Sequence, residues 1–172
     1  MRKTMAALAL ILLLAAPARA GALAYRLDRQ HAALHFTLGR MDGVFADFDA
    51  ALVFDRARPE DARLDVLIRS ASVDAGGATP LVRDAFESRR YPYIRFVSTR
   101  VEPGANSSAR IEGLLTLRGV TQPIVLDATM NEDGPLRFIA SGAFRRSAFG
   151  IGGWPWTADR VELRIEAPFS PA

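Results

Sequence analysis

The sequence predicts an all-β fold, an antiparallel up-and-down barrel of eight strands with one short helix in a connection. Apolar and polar residues alternate with a period of two through nearly every segment after residue 20. Turn-forming residues separate these segments at short intervals. A sandwich and a barrel both suit strands with one apolar face, but short serial links favour a closed barrel, because closure leaves no exposed edge.

The predicted elements follow the alternation and its interruptions. Eight strands are expected at residues 33–38, 46–54, 63–69, 94–101, 111–118, 124–130, 137–145 and 161–167, with a short ninth at 24–27. Turns are expected at residues 41–43, 103–106, 118–119 and 131–134. Pro123 is expected to start a strand, where its missing N–H does least harm. Residues 80–88 are predicted to be helical, with Thr79 as the N-cap.

The first 20 residues have the three-part pattern of a secretory signal peptide. Arg2 and Lys3 precede an apolar run at residues 5–16, and Ala18 and Ala20 are the small residues expected before a cleavage site. A membrane anchor is the alternative, but the run is shorter than the roughly 20 residues that cross a bilayer. We expect residues 1–20 to be removed and residues 21–172 to form one periplasmic or secreted domain without stable membrane insertion.

Composition excludes several classes of function. The chain has no cysteine, which removes disulfides, thiolate metal sites and lipoprotein anchoring. Its formal charge of +3 equals the contribution of three residues before position 21, Arg2, Lys3 and Arg19. The remaining chain is neutral, and nucleic-acid binding is therefore not expected.

No catalytic or metal-ligating residues are predicted. Hydrolase signatures such as G-x-S-x-G and H-E-x-x-H are absent from the sequence. His31 and His35 are four residues apart, which on a strand places both on one face. A metal site would need a third ligand, so the favoured interpretation is that each imidazole is hydrogen-bonded near a barrel end.

Aromatic and aliphatic side chains on the predicted inner face are the candidate ligand-binding residues. They are Phe36, Phe48, Phe54, Ile68, Phe86, Phe96, Leu115, Met130, Phe138, Phe144, Phe149 and Trp154. Trp154 is expected either to plug a barrel end or to line a ligand's entrance. The interior could be a filled core or a hollow for an apolar chain. Small residues predicted on the same face favour open space: Ala46, Ala50, Gly113, Ala128, Ala140 and Gly142.

The order of several motifs resembles the YceI-like family of exported polyisoprenoid-binding proteins. Residues 113–123, GLLTLRGVTQP, look like the family's G-x-L-T-L-x-G-V-T-x-P. Weaker matches lie at residues 25–36, 45–55, 72–74, 91–99 and 146–150. The sequence departs from the family at residues 38–40, where Leu-Gly-Arg stands in place of His-Leu-Gly, and the segment after Asp74 is compressed.

The resemblance implies a lipocalin-like barrel that holds an isoprenoid lipid, either a polyprenyl or a quinone-type chain. The expected function is an exported protein that sequesters or carries this chain, with no catalytic role and no cofactor other than the lipid. An enzyme acting on a lipid or quinone through His31 or His35, and a solid-core structural or interaction barrel, remain alternatives. The oligomeric state is left open, a dimer included.

Overall fold

The computed structural model describes residues 21–131, 133–152 and 158–172. These residues form eleven strands in one sheet and one α-helix. The strands are β1 (Leu23–Leu27), β2 (Ala33–Leu38), β3 (Met41–Phe45), β4 (Phe48–Phe54), β5 (Arg63–Arg69), β6 (Val73–Asp74), β7 (Tyr93–Pro103), β8 (Ser108–Leu117), β9 (Val120–Met130), β10 (Arg137–Arg145) and β11 (Arg160–Pro171). The helix α1 (Thr79–Ala85) lies in the connection between β5 and β7. Among the described residues, no helix is long and apolar enough to cross a bilayer.

The sheet closes into an eight-stranded antiparallel barrel, as predicted. From β4 through β5 and β7 to β11, each strand pairs with the next. Tyr25 of β1 then pairs with both Leu52 of β4 and Pro171 of β11, which closes the ring. β2 continues the path of β1 along β11, and β3 continues the path of β4 along β2. β1 with β2 and β3 with β4 therefore each fill one position in the barrel.

One predicted turn is wrong. Residues 41–43 belong to β3, and the chain reverses at Gly39 and Arg40, where Gly39 has a φ of +61°. Gly43 pairs with Phe36 across β2 and β3 and leaves room for the Phe36 ring. The Asp-Gly pair that looks like a turn is therefore a packing feature of a strand.

The predicted turn between β8 and β9 is confirmed, whereas the expected position of Pro123 is wrong. Arg118 and Gly119 connect β8 to β9 and both have positive φ, +54° and +73°. Pro123 lies three residues inside β9 and not at its start. β10 pairs with β9 only from Leu126 to Met130, so Pro123 stands where one side of β9 has no strand partner and a missing N–H is tolerated.

The helix is shorter than predicted and is not capped by Thr79. α1 ends at Ala85, and two residues later Glu87 has a left-handed φ of +48°. Thr79 lies inside the first turn, where its Oγ1 accepts a hydrogen bond from Ala75 N at 2.8 Å. Its side chain therefore ties the segment before the helix to the first helical turn.

The buried core lies inside the barrel, with charged residues on the outer face. In β4 the alternation is complete, because Phe48, Ala50 and Leu52 are buried while Asp49 and Ala51 are exposed. The expectation that Ala46 also faces inward is wrong. The chain bends between β3 and β4, where Ser72 O accepts a hydrogen bond from Ala46 N, and Ala46 is exposed.

Candidate functional site

The barrel is hollow in two places along its length. One cavity has a volume of about 290 Å³ and lies toward the barrel end that carries the β4–β5 connection. The other has a volume of about 100 Å³ and lies beneath α1. Four side chains contribute to the walls of both cavities: Leu34, Val66, Leu126 and Ile165. We call these four residues the waist, because the two cavities adjoin there.

Alanines create the larger cavity. Ala109, Ala128 and Ala140 stand side by side on β8, β9 and β10, because Ala128 pairs with both of the others. All three line the cavity, as does Ala50 on β4. Small side chains in register leave a continuous volume that larger aliphatic residues would fill. The interior is therefore widest where this alanine row crosses the wall.

The larger cavity reaches the surface at the end of the barrel away from α1. Arg56, Pro103 and Gly104 contribute to its wall and are themselves exposed. Ser107 and Ser108 lie beside them in the connection between β7 and β8 and at the start of β8. The mouth is therefore polar at its edge and apolar within.

The smaller cavity is covered by α1. Val82, Ala85 and Phe86 form its roof, and Val82 is only 3% exposed. The Phe86 ring stacks on Phe45 with 6.0 Å between ring centroids, and Phe45 contacts Phe36 at 5.5 Å. None of the described residues that line this cavity is exposed.

Residues 71–90 form a lid over the smaller cavity. The base of the lid is fixed by Ser70, which donates from its N to Pro92 O at 3.0 Å and from Oγ to Tyr91 O at 2.7 Å. Its C-terminal part is held by Arg118, whose Nε donates to Glu87 Oε1 at 2.7 Å. The same guanidinium donates from Nη1 to Gly150 O at 2.6 Å. Arg118 thus fastens the lid to two other connections.

The turn after β10 completes this end of the barrel. Arg146 is buried, lines the smaller cavity, and donates to Ala158 O at 2.7 Å and to Ile151 O at 2.6 Å. Asp159 accepts hydrogen bonds from Ser147 Oγ at 2.8 Å and from Ser147 N at 3.0 Å. These two bonds lower the pKa of Asp159, since they stabilise its ionised carboxylate. The turn is therefore held by a buried cation on one side and an anion on the other.

Comparison with known proteins identifies the family. The YceI-like domain model matches residues 25–169. The chain belongs to the YceI-like family. A UPF0312 protein of Pseudomonas savastanoi pv. phaseolicola is 32% identical over 183 aligned positions, which cover 96% of this chain and 95% of that protein. A UPF0312 protein of Pseudomonas putida strain W619 matches with the same identity and coverage.

Solved structures share the YceI-like barrel. BcnA of Burkholderia cenocepacia superposes with a TM-score of 0.77 at 25% identity, covering 83% of this chain and 98% of BcnA. The YceI protein of Campylobacter jejuni gives a TM-score of 0.65 at 27% identity, with coverage of 79% and 87%. A polyisoprenoid binding domain from Saccharophagus degradans gives 0.63 at 14% identity, with coverage of 87% and 99%, and this likeness shows the fold alone.

Ten of the twelve candidate ligand-binding residues line the two cavities of this YceI-like barrel. The smaller cavity is lined by Phe36, Ile68, Phe86, Phe96, Leu115 and Phe144, and the larger by Phe48, Phe54, Met130 and Phe138. Phe149 is buried against Phe144, with ring centroids 5.2 Å apart, and lies behind the cavity wall. Trp154 lies outside the described residues. Ligand binding by these residues stays a prediction.

The sequence interpretation missed the waist and part of the roof. Leu126 and Ile165 already stood on predicted inner faces, but the choice of candidates favoured aromatic rings over branched aliphatic residues. Val82 could have been found from its helical position, one turn before Phe86. The signal was present in both cases and was given too little weight.

Two glycines do not provide open space, contrary to expectation. A Cβ at Gly113 would lie 2.3 Å from Cζ of Phe96, and one at Gly142 would lie 2.6 Å from Cδ2 of Leu126. Each glycine is therefore already covered by a neighbouring side chain. Of the small residues predicted to open the interior, Ala50, Ala128 and Ala140 line the larger cavity.

The histidines lie away from the cavities. His31 precedes β2 and its Nδ1 is 2.8 Å from Asp28 Oδ2, a contact that lowers the pKa of Asp28. His35 is exposed on β2, so the expectation that both share one strand face is wrong. The chain bends at residues 28–32, between β1 and β2, and this bend carries His31 off the strand. Within the described part of the chain, no group of three or more side chains could hold a metal ion.

Proposed function

We propose that this protein binds a slender apolar lipid chain of the isoprenoid class inside the barrel, and that it carries the chain after export. The observation that supports this most directly is the pair of apolar cavities that adjoin at the waist, one of them open to solvent. The function is binding and not catalysis, because the interior offers apolar contacts and both histidines lie outside it.

Cavity size favours a chain over a compact ligand. An engineered apolar cavity of roughly 150 Å³ binds benzene, so a cavity of about 290 Å³ holds about a dozen carbon atoms. A chain of several isoprene units therefore needs the larger cavity and then the smaller one beyond the waist. Burial of each methylene contributes about 0.8 kcal/mol, so such a chain binds without a charged anchor.

The relatives support the ligand class. The structure from Saccharophagus degradans is described as a polyisoprenoid binding domain, and its barrel is matched over 87% of this chain. Motifs at residues 113–123 and elsewhere resemble the same family. The isoprenoid class of the ligand is inferred from this likeness, and the apolar character of the ligand is inferred from the cavity walls.

Export is part of the proposal. The pattern of residues 1–20 predicts cleavage after Ala20 and release into the periplasm or the medium. Cell fractionation with intact-mass measurement tests this. Recovery of a chain that begins at Gly21 outside the cytoplasm supports export, and recovery of the full chain in the cytoplasm contradicts it.

Filling the larger cavity tests the binding proposal. Ala50 lines this cavity, whereas the next residue, Ala51, is exposed on the outer face of the same strand. Ala50→Leu adds three carbons to a space that can accept them, so the fold is retained and the chain is displaced. We expect affinity for an isoprenoid alcohol such as geranylgeraniol to fall about tenfold to a hundredfold, from the loss of roughly three methylene contacts.

Ala51→Leu is the matched control, since it adds the same atoms on the outer face. Affinity is measured by displacement of a fluorescent fatty probe, with alcohols of two, three and four isoprene units. Affinity in the wild type should rise from two units to three and then level off, because on the same scale the two cavities together hold about sixteen carbon atoms. If Ala50→Leu and Ala51→Leu bound the alcohols with equal affinity, the barrel interior would be excluded as the binding site.

A further inference from the structure

The two ends of the barrel differ in charge, although the chain after residue 20 is neutral overall. At the lid end, the connections between strands carry six arginines against four acidic residues. The arginines are Arg40, Arg83, Arg89, Arg90, Arg118 and Arg146, and the acids are Asp74, Asp84, Glu87 and Asp159. At the opposite end, the described connections carry Arg56 and Arg58 against Asp55, Glu60, Asp61 and Asp133. Counted over these connections, the lid end carries a net charge of +2 and the described part of the opposite end a net charge of −2.

Four of the six lid-end arginines are exposed to solvent, whereas Arg146 is buried and Arg118 is bonded within the protein. Arg40, Arg83, Arg89 and Arg90 are exposed, and the side chain of Arg90 is 74% accessible. Arg145 at the end of β10 and Arg160 at the start of β11 are also exposed and flank the same end. We call these six exposed residues the arginine rim.

Most carboxylates at the lid end are engaged within the protein. Glu87 is paired with Arg118, and Asp159 accepts two hydrogen bonds from Ser147. Asp74 accepts a hydrogen bond from Gly76 N at 2.9 Å and another from Thr79 Oγ1 at 3.3 Å. Two rim arginines are partly neutralised, because Arg90 Nη1 lies 3.8 Å from Glu87 Oε2 and Arg160 Nε lies 3.3 Å from Glu162 Oε1. Arg40, Arg83, Arg89 and Arg145 therefore contribute most of the positive potential of the rim.

We propose that the arginine rim docks the lid end of the barrel on an anionic phospholipid surface. Clusters of four to eight basic residues on a protein surface bind anionic lipid headgroups through their summed charge. Leu81, 40% exposed on α1, adds an exposed apolar side chain at the lid end. Docking in this orientation points the lid and the smaller cavity at the bilayer.

A membrane fits the rim better than a nucleic acid does. Three rim residues belong to the lid, whose inner face, formed by Val82, Ala85 and Phe86, covers an apolar cavity. Transfer of a chain between the bilayer and the smaller cavity at this end requires the lid to open, because the mouth of the larger cavity lies at the opposite end. Such transfer rests on the proposed lipid-carrying function, whereas the docking itself can be measured without a bound chain.

Vesicle co-sedimentation tests the inference with the protein as it is purified from the cells that produce it. The rim variant is Arg40→Gln with Arg89→Gln and Arg145→Gln, which leaves the Arg118–Glu87 contact in place. The control variant is Arg26→Gln with Arg110→Gln and Arg137→Gln, which removes the same charge from exposed positions elsewhere. Both are measured on phosphatidylcholine vesicles with and without phosphatidylglycerol, at low ionic strength.

We expect wild type and control to bind only the vesicles that contain phosphatidylglycerol. The rim variant should bind these vesicles at least about tenfold more weakly than the wild type does. Equal losses in both variants would show that net charge acts, and would overturn the inference. The inference would also be overturned if the wild type bound vesicles of phosphatidylcholine alone as tightly as vesicles that contain phosphatidylglycerol. Tighter binding to transfer RNA than to anionic vesicles would overturn it as well.

A measurement of retained lipid separates the two proposals. The rim variant should retain a bound isoprenoid as the wild type does, because none of the six rim residues lines either cavity. Loss of docking with retention unchanged supports the inference. If the wild type retains no lipid yet docks through the rim, the proposed function fails and the docking inference stands.

Discussion

Gly113 lies on the inner face of β8, where the ring of Phe96 from β7 covers it. A Cβ at this position would lie 2.3 Å from Cζ of Phe96 and 2.6 Å from the backbone oxygen of Val97. The ring could shift, but the oxygen belongs to the β7–β8 ladder and is fixed. Gly43 has the same relation to Phe36, at 2.3 Å from Cζ. At the residue scale, glycine in this wall serves to admit aromatic rings.

Gly113→Ala should therefore destabilise the barrel. The added methyl group overpacks the wall, and we expect a loss of about 1–3 kcal/mol in the free energy of unfolding. Gly77→Ala is the control, because a Cβ there meets nothing within 4 Å. Chemical denaturation monitored by circular dichroism measures both. Equal stability of the two variants would show that the Phe96 ring does not constrain this site.

Asp159 makes the turn after β10 sensitive to acid. The hydrogen bonds from Ser147 hold the pKa of Asp159 below its ordinary value of 3.8. The carboxylate therefore contributes its stabilisation at pH values above 3.8, and the contribution is lost as the pH falls through the lowered pKa. The stability advantage of wild type over Asp159→Asn should be constant near neutral pH and shrink in acid.

Thermal unfolding of wild type and Asp159→Asn across this pH range checks the sign. If the difference in unfolding temperature between wild type and Asp159→Asn widened in acid, the stabilising role of the ionised Asp159 carboxylate would be contradicted.

At the scale of elements, the lid is fixed near both of its chain ends and is packed onto the smaller cavity through Val82 and Phe86. Ser70 fixes the base with two hydrogen bonds to residues 91 and 92, and β6 pairs with β3 beside it. The C-terminal part of the lid is also held by the ion pair between Arg118 and Glu87, whose side chains are 29% and 33% exposed. Loss of this pair should free the lid without unfolding the barrel.

Glu87→Gln should speed the release of a chain from the smaller cavity. A half-exposed ion pair contributes about 0.5–1 kcal/mol, so we expect a change of a few-fold in the dissociation rate and in deuterium exchange of the lid amides. Asp65→Asn is the control, because it breaks the Arg95 pair on the outer wall between β5 and β7. Equal effects of the two changes, or none, would contradict the assignment of the lid.

The elements that could be predicted from the sequence are those set by local periodicity. Inner and outer residues alternate in β4 without help from distant contacts, so its face was assigned correctly from Phe48 onward. β3 was missed because Asp42-Gly43 has the local chemistry of a turn, while the Phe36 ring requires glycine there. Thr79 was expected to cap α1 because a threonine before a proline favours that role, yet it bonds Ala75 N.

At the scale of the whole molecule, the decisive property is that the closed barrel encloses empty volume. The sequence predicted closure from strand number and short links, but it could not predict the volume. That volume depends on the register that places Ala109, Ala128 and Ala140 side by side, and register is set by pairing between distant strands. The charge difference between the two ends likewise appears only when the connections are sorted by the end they occupy.

Native mass spectrometry of wild-type protein purified without detergent tests the central claim most directly. The account predicts a retained apolar adduct with the mass of an isoprenoid lipid, lost in Ala50→Leu and kept in Ala51→Leu. Protein that carries no adduct, and acquires none when incubated with geranylgeraniol, would contradict the claim that this barrel is built to hold a lipid chain.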